Sequence, residues 1–501
     1  MKLKIVLFFI LIGILRLTIV PTMVSDAMDM WPHRGDAHFY AKTAEYWNQT
    51  GIWKWFEIYP VALKEGFTTD MQWNAIGTPW AIAFIQDNLD ISYSEAAIYL
   101  SIGSYISSIL LLYLILCYFT KASLAFTGAL IFILFPYSNT FGCSASTDSL
   151  SQLTILFCFG LFLLFEKYQS KSFWVILLLT TIPLCTIRPH NQFFLLALFP
   201  VLLISKHKNK GFYFSSWVIT LGLWKLSIFL LSDPTRLTFP YSFSFLVGTE
   251  TYPGHSSFKH YFNGFDFHKL LEHKDIILGK VPKSIQFLKQ YHNTWIPTLC
   301  ALTGFSIFGN YKNISRLCLL IFGAGLFFGA SGHLVPRYWI IIEPIFLLVC
   351  ILSISPSYHF NKFNFIIPSF LSCLILIYSW HPHWTNTQAK PCLLPKEITN
   401  ILNQEHQLLT TNQPSKLIDA YHKEILLLPH NLNQLESIQQ NVSPIDCIIF
   451  TPDLKSGEDN HWVTEQINLK QLGFKLILEK KDWKVYQKDV VNIQASVQSA
   501  N

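Results

Sequence analysis

The chain has 501 residues, of which 51% are hydrophobic and only 14% charged, and its mean hydropathy is +0.34. A soluble domain carries about 25% charged residues, so this chain lacks the polar surface to cover itself in water, and composition makes it a membrane protein. The net charge of +6 is spread along the chain rather than gathered on one basic face, which excludes nucleic acid as a partner.

Each membrane crossing needs about 20 mostly apolar residues. Such runs fall at 5–22, 97–119, 122–142, 149–165, 172–187, 190–205, 212–231, 295–309, 316–332, 338–354 and 365–380, so a polytopic α-helical protein of about eleven spans is expected. The first run follows Lys2 and Lys4 but has no convincing small-residue cleavage site, and reads as a retained anchor. Lysine and arginine mark cytoplasmic loops. With the N-terminus cytoplasmic, the inner segments hold Lys2, Lys4, Lys121, Lys167, Lys171, Lys206, Lys208, Lys210, Lys312, Arg316 and Lys362 against Glu166 alone. The first long loop, 23–96, carries four basic and ten acidic residues. It therefore faces outward, as do loop 232–294 and, after an odd number of spans, the tail 381–501.

The tail alternates strand-like runs (Ile425–Leu428, Cys447–Phe450, Phe474–Leu478, Trp483–Tyr486) with helical stretches near 396–410, 431–441 and 461–472, the last stopped by Gly473. That alternation predicts a small extracytoplasmic α/β domain, following a membrane domain over 1–380. Of the ten cysteines, Cys117, Cys158, Cys185, Cys300, Cys318, Cys350 and Cys373 lie in apolar runs as small hydrophobes. Cys392 and Cys447 fall in the tail, where a disulfide is one option.

Ionisable residues within the spans are few: Arg16, Lys225 and Glu343. No relay crosses the membrane, and no internal repeat stands out, which counts against a transporter. The chemistry gathers at the outer boundary. Asp36 opens a helical pattern running to Trp47; Asp148 stands in Ser144-Ala145-Ser146-Thr147-Asp148-Ser149; Arg188-Pro189-His190 breaks an apolar hairpin; Arg337 lies in His333-Leu334-Val335-Pro336-Arg337-Tyr338. Each acid has a bland reading as a helix cap. Outward arginines run against the charge rule, and a guanidinium fork fits phosphate oxygens. Two acids and two arginines at this level suit a phosphate-bearing lipid reacting with an extracytoplasmic acceptor. Neither a P-loop nor a Rossmann glycine pattern occurs, as expected where no nucleotide is available.

Gly35-Asp36-Ala37 with Tyr40 and Ala44 resembles the first-loop acidic motif of the GT-C membrane glycosyltransferases. Gly77-Thr78-Pro79 is similar to their proline-containing turn, Thr147-Asp148 to the acid before their fourth span, and Arg337-Tyr338 with Glu343-Pro344 to their late Arg-Tyr…Pro signature. The resemblance covers about 1–380 and is nearest the bacterial protein O-mannosyltransferases and the lipid A aminoarabinose transferases. It implies an enzyme of the cell inner membrane with its active site outside. A polyprenyl-phosphate sugar would be the donor, a lipid, glycan or protein the acceptor, and transfer would be inverting. Asp36 would act as general base, Arg337 and Arg188 would bind the donor phosphate, and Asp148 would either orient the acceptor or hold a divalent metal. The mannosyltransferases carry Asp-Glu where this chain has Asp36-Ala37, which argues against protein mannosylation. The alternatives are an oligosaccharide ligase or polymerase using lipid-pyrophosphate donors, and a non-enzymatic transporter. They differ in donor and in dependence on Asp36.

Overall fold

The computed structural model describes residues 2–20, 35–58, 76–133, 142–231, 313–321, 343–354, 394–451 and 466–488, apart from scattered positions within these ranges. The runs at 295–309 and 365–380, Arg337 and Cys392 lie outside them. Helix α1 (Lys2–Ile14) runs on through a π-helical turn, Leu15–Ile19. Arg16 sits in that turn and is exposed on the flank of the bundle, which fits a side chain reaching to the lipid interface. After it come α2 (Gly35–Thr50), α3 (Gly77–Leu89), α4 (Tyr93–Phe119), α5 (Ala122–Ile133), α6 (Thr147–Tyr168), α7 (Lys171–Ile187), α8 (Gln192–Ile204) and α9 (Lys210–Leu231). A helical segment at 313–321, α10, and α11 (Glu343–Ile354) complete the apolar set.

Helices α4 and α6 are each long and apolar enough to cross a membrane. At 27 residues, α4 is about 40 Å long. It starts four residues before its apolar run because Ser92 and Glu95 form a capping box, each side chain bonded to the other's backbone N–H. Helix α11 packs against α4, α5 and α6, and its residues from Pro344 to Leu352 are all buried. It is a central post of the bundle, hydrophobic on every side as such a position requires.

One end of the bundle collects the segments expected to be cytoplasmic. Tyr113 Oη donates to Lys4 O at 2.6 Å, the Lys167 ammonium lies 4.3 Å from the Tyr118 ring centroid, and Asn313 Nδ2 donates to Glu166 Oε2 at 2.7 Å. Lys4 and Lys167 thus both lie against the C-terminal part of α4, at Tyr113 and Tyr118.

The tail forms a mixed sheet of order β1-β3-β2-β4-β6-β5. Its strands are β1 (Glu57–Ile58), β2 (Leu409–Thr411), β3 (Ile425–Leu427), β4 (Cys447–Phe450), β5 (Phe474–Lys480) and β6 (Trp483–Lys488). Strands β1, β3, β2 and β4 run parallel, and β6 and β5 add an antiparallel ribbon. Every residue of β2 and β4 is buried, as expected of parallel strands covered on both faces. Helices α12 (Lys396–Leu402) and α13 (Leu432–Asn441) and a 3-10 helix, Gln466–Leu472, lie between strands, and Gly473 leaves that last helix at φ +85°. Three details depart from expectation. Strand β2 occupies the end of the stretch 396–410 read as helical, because α12 stops at Leu402. Cys447 is a free thiol, fully buried on β4, so no disulfide engages it. And β1 comes from the first loop rather than the tail. One sheet cannot straddle a membrane, so β1 of the first loop and the tail strands lie on the same side.

Buried in this domain, His406 has both ring nitrogens against acceptors, Asp446 Oδ2 at 3.3 Å and Ile401 O at 2.8 Å. Burial alone would pull its imidazole down, but the Asp446 and Ile401 hydrogen bonds outweigh it and push it up. A raised folded value means the contribution to stability is complete below the ordinary histidine range, about 6.5, and fades as pH rises through the raised value. His406→Gln should therefore lower the unfolding temperature more at pH 6 than at pH 9, read by thermal denaturation in detergent. Equal losses at both pH values would mean that the imidazolium is not the stabilising form.

Candidate active site

At the end of the bundle away from Lys4 and Glu166, three turns meet. The first is the α7 terminus. Pro189 disfavours helical backbone at the residue before it, and Arg188 accordingly takes φ −152°, ψ +130° and ends α7. The break leaves late carbonyls of α7 without intrahelical donors. Asn191 Nδ2 donates to one of them, Leu184 O, at 2.9 Å, and Ser151 Oγ of α6 donates to Asn191 Oδ1 at 2.6 Å.

The second turn is the start of α6. Ala145 is held at φ +52°, a left-handed conformation that costs a non-glycine residue about 1–3 kcal/mol and gathers at functional sites. Asp148 follows three residues later, in the first turn of α6. Its carboxylate accepts from the Arg188 guanidinium, and the two side chains are only 1% and 6% exposed. Ser101 Oγ on α4 and Ser149 Oγ, 3.4 Å apart, pin the same turn.

The third turn is Gly77-Thr78-Pro79. It is more than a turn before a span: it opens α3, with Pro79 in the first helical turn, where its missing N–H costs nothing. A Cβ built on Gly77 would lie 2.8 Å from Thr186 Oγ1 and 3.0 Å from Thr186 backbone atoms. Thr78 Oγ1 donates weakly to Ile187 O at 3.5 Å. These residues therefore buttress the last turn of α7, directly before Arg188. Gly77→Val should displace that turn and lower turnover at least about tenfold, the order expected when a remote change misplaces reacting groups by a fraction of an ångström, while Gly103→Val, with open space at its Cβ, leaves it unchanged. Rates measured on the two purified variants check this.

Asp36 is the second residue of α2, at the helix end where the macrodipole favours negative charge. Beyond it α2 buries Ala37, Phe39, Tyr40, Thr43 and Ala44. Its far end is tied to α3 and α4, Asn48 Nδ2 donating to Asp87 Oδ1 at 2.8 Å and to Tyr93 Oη at 3.1 Å. Gly51, at φ +72°, then reverses the chain, and Trp53 stacks on Trp47 with centroids 4.7 Å apart. Thr43 Oγ1 donates to Lys54 O at 2.7 Å, and Ile425 N donates to Phe56 O at 3.0 Å. The helix that carries Asp36 is thus clamped to the tail sheet through β1.

Of the four residues singled out by sequence, the structure joins Asp148 to Arg188 and places Asp36 at the head of α2. No group of three metal-ligating side chains occurs among the described residues. Trp80 is 52% exposed and stacks on exposed Phe84, the arrangement of an interfacial anchor. Sequence reasoning missed Ser151 and Asn191. The one signal for Asn191 is a polar residue just past a helix-breaking Arg-Pro.

No model of a known protein family matches the sequence, and no curated protein matches it. Among solved structures, ArnT from Cupriavidus metallidurans bound to undecaprenyl phosphate superposes with a TM-score of 0.53 over 94% of this chain and 98% of its own, at 10% identity. The chain shares the fold of that ArnT. An Archaeoglobus fulgidus oligosaccharyltransferase, AglB, in complex with an inhibitory peptide and a dolichol-phosphate is also similar, with a TM-score of 0.47, 10% identity, and coverage of 96% of this chain and 75% of its own. The match to ArnT extends over nearly the whole of both chains, the tail as well as the bundle.

Proposed function

We propose that the protein is an integral membrane glycosyltransferase that moves a monosaccharide from a polyprenyl-phosphate donor to an extracytoplasmic acceptor, with inversion. The observation that carries the reading is the full-length GT-C fold, shared with a protein seen bound to undecaprenyl phosphate, combined with a buried Asp148–Arg188 pair at the end of the bundle where the acidic helix α2 is packed. Helices α2 and α3 pack against one another and are tied near their C-terminal ends; in this reading Asp36, at the head of α2, works together with the Arg188 turn.

In this reading Asp36 accepts the proton of the acceptor hydroxyl as that oxygen attacks the anomeric carbon. The anomeric carbon–phosphate oxygen bond breaks and polyprenyl phosphate leaves. A phosphate is already a good leaving group, so the protein's task there is electrostatic. Arg188, held in orientation by Asp148, and Arg337, which precedes the central post α11, stabilise the charge as it develops on the phosphate. Asp148 is then a positioning residue rather than a metal ligand. The domain over 381–501 lies outside and holds α2 through β1. The spans below supply the apolar groove for the isoprenoid.

Proton NMR of the product formed from a donor of known anomeric configuration tests the single displacement. The expected product has the opposite configuration, with one polyprenyl phosphate released per glycosidic bond. A retained configuration contradicts this mechanism.

A further inference from the structure

The tail sheet contains a topological switch point. In its order β1-β3-β2-β4-β6-β5, the chain leaves β2 towards β3 on one side and leaves β4 towards β5 on the other. Open α/β sheets bind ligands at such a point, in the crevice outside the carboxyl ends of the two strands. The residues that leave those strands are Asn412, after β2, and Thr451, after β4. Backbone pairing between the strands ends at Thr411 opposite Ile449. Beyond it the two ends are joined through a side chain, Thr451 N donating to Asn412 Oδ1 at 2.8 Å. That bond fixes which end of the amide carries the oxygen and leaves Nδ2 with its two N–H groups. Asn412 and Thr451 are 9% and 0% exposed, yet among the described residues neither Asn412 Nδ2 nor Thr451 Oγ1 has a hydrogen-bond partner. Buried polar groups are nearly always paired, and each exception calls for an explanation. Here two exceptions belong to residues bonded to one another, at the place where the fold prepares a crevice. Their footing is firm. Thr410, Thr411, Ile449 and Phe450 are fully buried, Thr410 Oγ1 donates to Leu426 O at 3.0 Å, and Leu428 N donates to Thr411 O at 2.8 Å.

We propose that this carboxyl edge of the tail sheet, at Asn412 and Thr451, binds an uncharged carbohydrate through two neighbouring hydroxyls. Both protein groups are neutral, so they select by hydrogen-bonding pattern rather than by charge. Asn412 Nδ2 donates to one sugar oxygen. Thr451 Oγ1 both donates and accepts, as the adjacent sugar hydroxyl does in return. The site stands apart from the transfer chemistry. Helix α2 is tied to the tail through Phe56 O and Ile425 N, at the entering end of β3, and β2 and β4 run parallel to β3. Asn412 and Thr451 therefore occupy the opposite edge of the sheet. This is a binding function separate from sugar transfer, and the transferase reading enters only in that sugars are handled on this side of the membrane.

The test is saturation-transfer NMR titration of the full chain in a detergent without a sugar headgroup. Maltotriose, mannotriose and galactotriose serve as uncharged probes, and N-acetyl-triglycine amide as a peptide probe. At least one trisaccharide should bind saturably. Thr451→Val keeps the shape of the side chain and the backbone N–H that Asn412 accepts, and should weaken that binding about tenfold, the scale of one hydrogen bond lost. Asn412→Asp, which keeps the oxygen facing Thr451 N and loses the Nδ2 donor, should weaken it to a similar degree. Thr451→Ser should bind like the wild type. Since the Thr451 hydroxyl has no partner among the described residues, Thr451→Val should unfold at the same temperature as the wild type or higher, which separates lost binding from lost folding. Saturable binding of none of the trisaccharides, undiminished binding by Thr451→Val, a lower unfolding temperature for that variant, or tighter binding of the peptide than of any sugar would each overturn the proposal. Asp36→Asn should bind the trisaccharide like the wild type, so failure here leaves the transfer reaction standing, and failure of transfer leaves this binding result standing.

Discussion

Asp36→Asn should fold like the wild type and transfer sugar about 10²–10⁴-fold more slowly, the range that a positioned general base contributes. The substitution keeps the size of the side chain and its place in the first turn of α2, so the packing of Ala37, Phe39, Tyr40 and Ala44 is untouched. What is lost is a group able to accept the acceptor's proton. The effect should fall on kcat with KM little changed, because the proton moves only in the transition state. A full loss of turnover with an altered unfolding temperature would instead mark Asp36 as a structural cap.

The second large effect concerns the buried pair. Asp148→Ala leaves the Arg188 guanidinium without this counter-charge in a site 6% exposed, and removing one partner of a buried ion pair costs about 3–5 kcal/mol. Thermal unfolding in detergent should show a clear fall. Replacing both residues together, Asp148→Leu with Arg188→Met, removes both charges and should recover much of that stability, since apolar side chains of similar volume often substitute for a buried pair without loss. Turnover should not recover. If Arg188 meets the phosphate, the double variant stays at least about 10²-fold slow, the scale of losing one preorganised donor. A stable double variant with wild-type turnover would show that the pair serves packing alone.

Helices were legible where the physical signal is local. The apolar runs gave α4, α6, α7 and α9 to within a few residues. The strands β3 to β6 were visible as short hydrophobic runs, and Gly473 as a stop. Strand β1 was not, because two residues, Glu57 and Ile58, become a strand only through Ile425 and Leu426, over 360 positions away. The Asp148–Arg188 pairing was not legible. Asp148 and Arg188 read equally well as two ligand-facing groups, since nothing local states that one side chain reaches the other across 40 residues. Gly77 looked like a turn, and its need for a missing Cβ arises only from Thr186 on another helix.

The most direct test offers the purified protein a polyprenyl-phosphate monosaccharide and, in parallel, a polyprenyl-pyrophosphate oligosaccharide, with extracytoplasmic acceptors, and measures sugar-linked product and the released lipid. The account predicts product and free polyprenyl phosphate from the monosaccharide donor, lost in Asp36→Asn. Turnover of the pyrophosphate donor alone would contradict it and make the protein an oligosaccharide ligase.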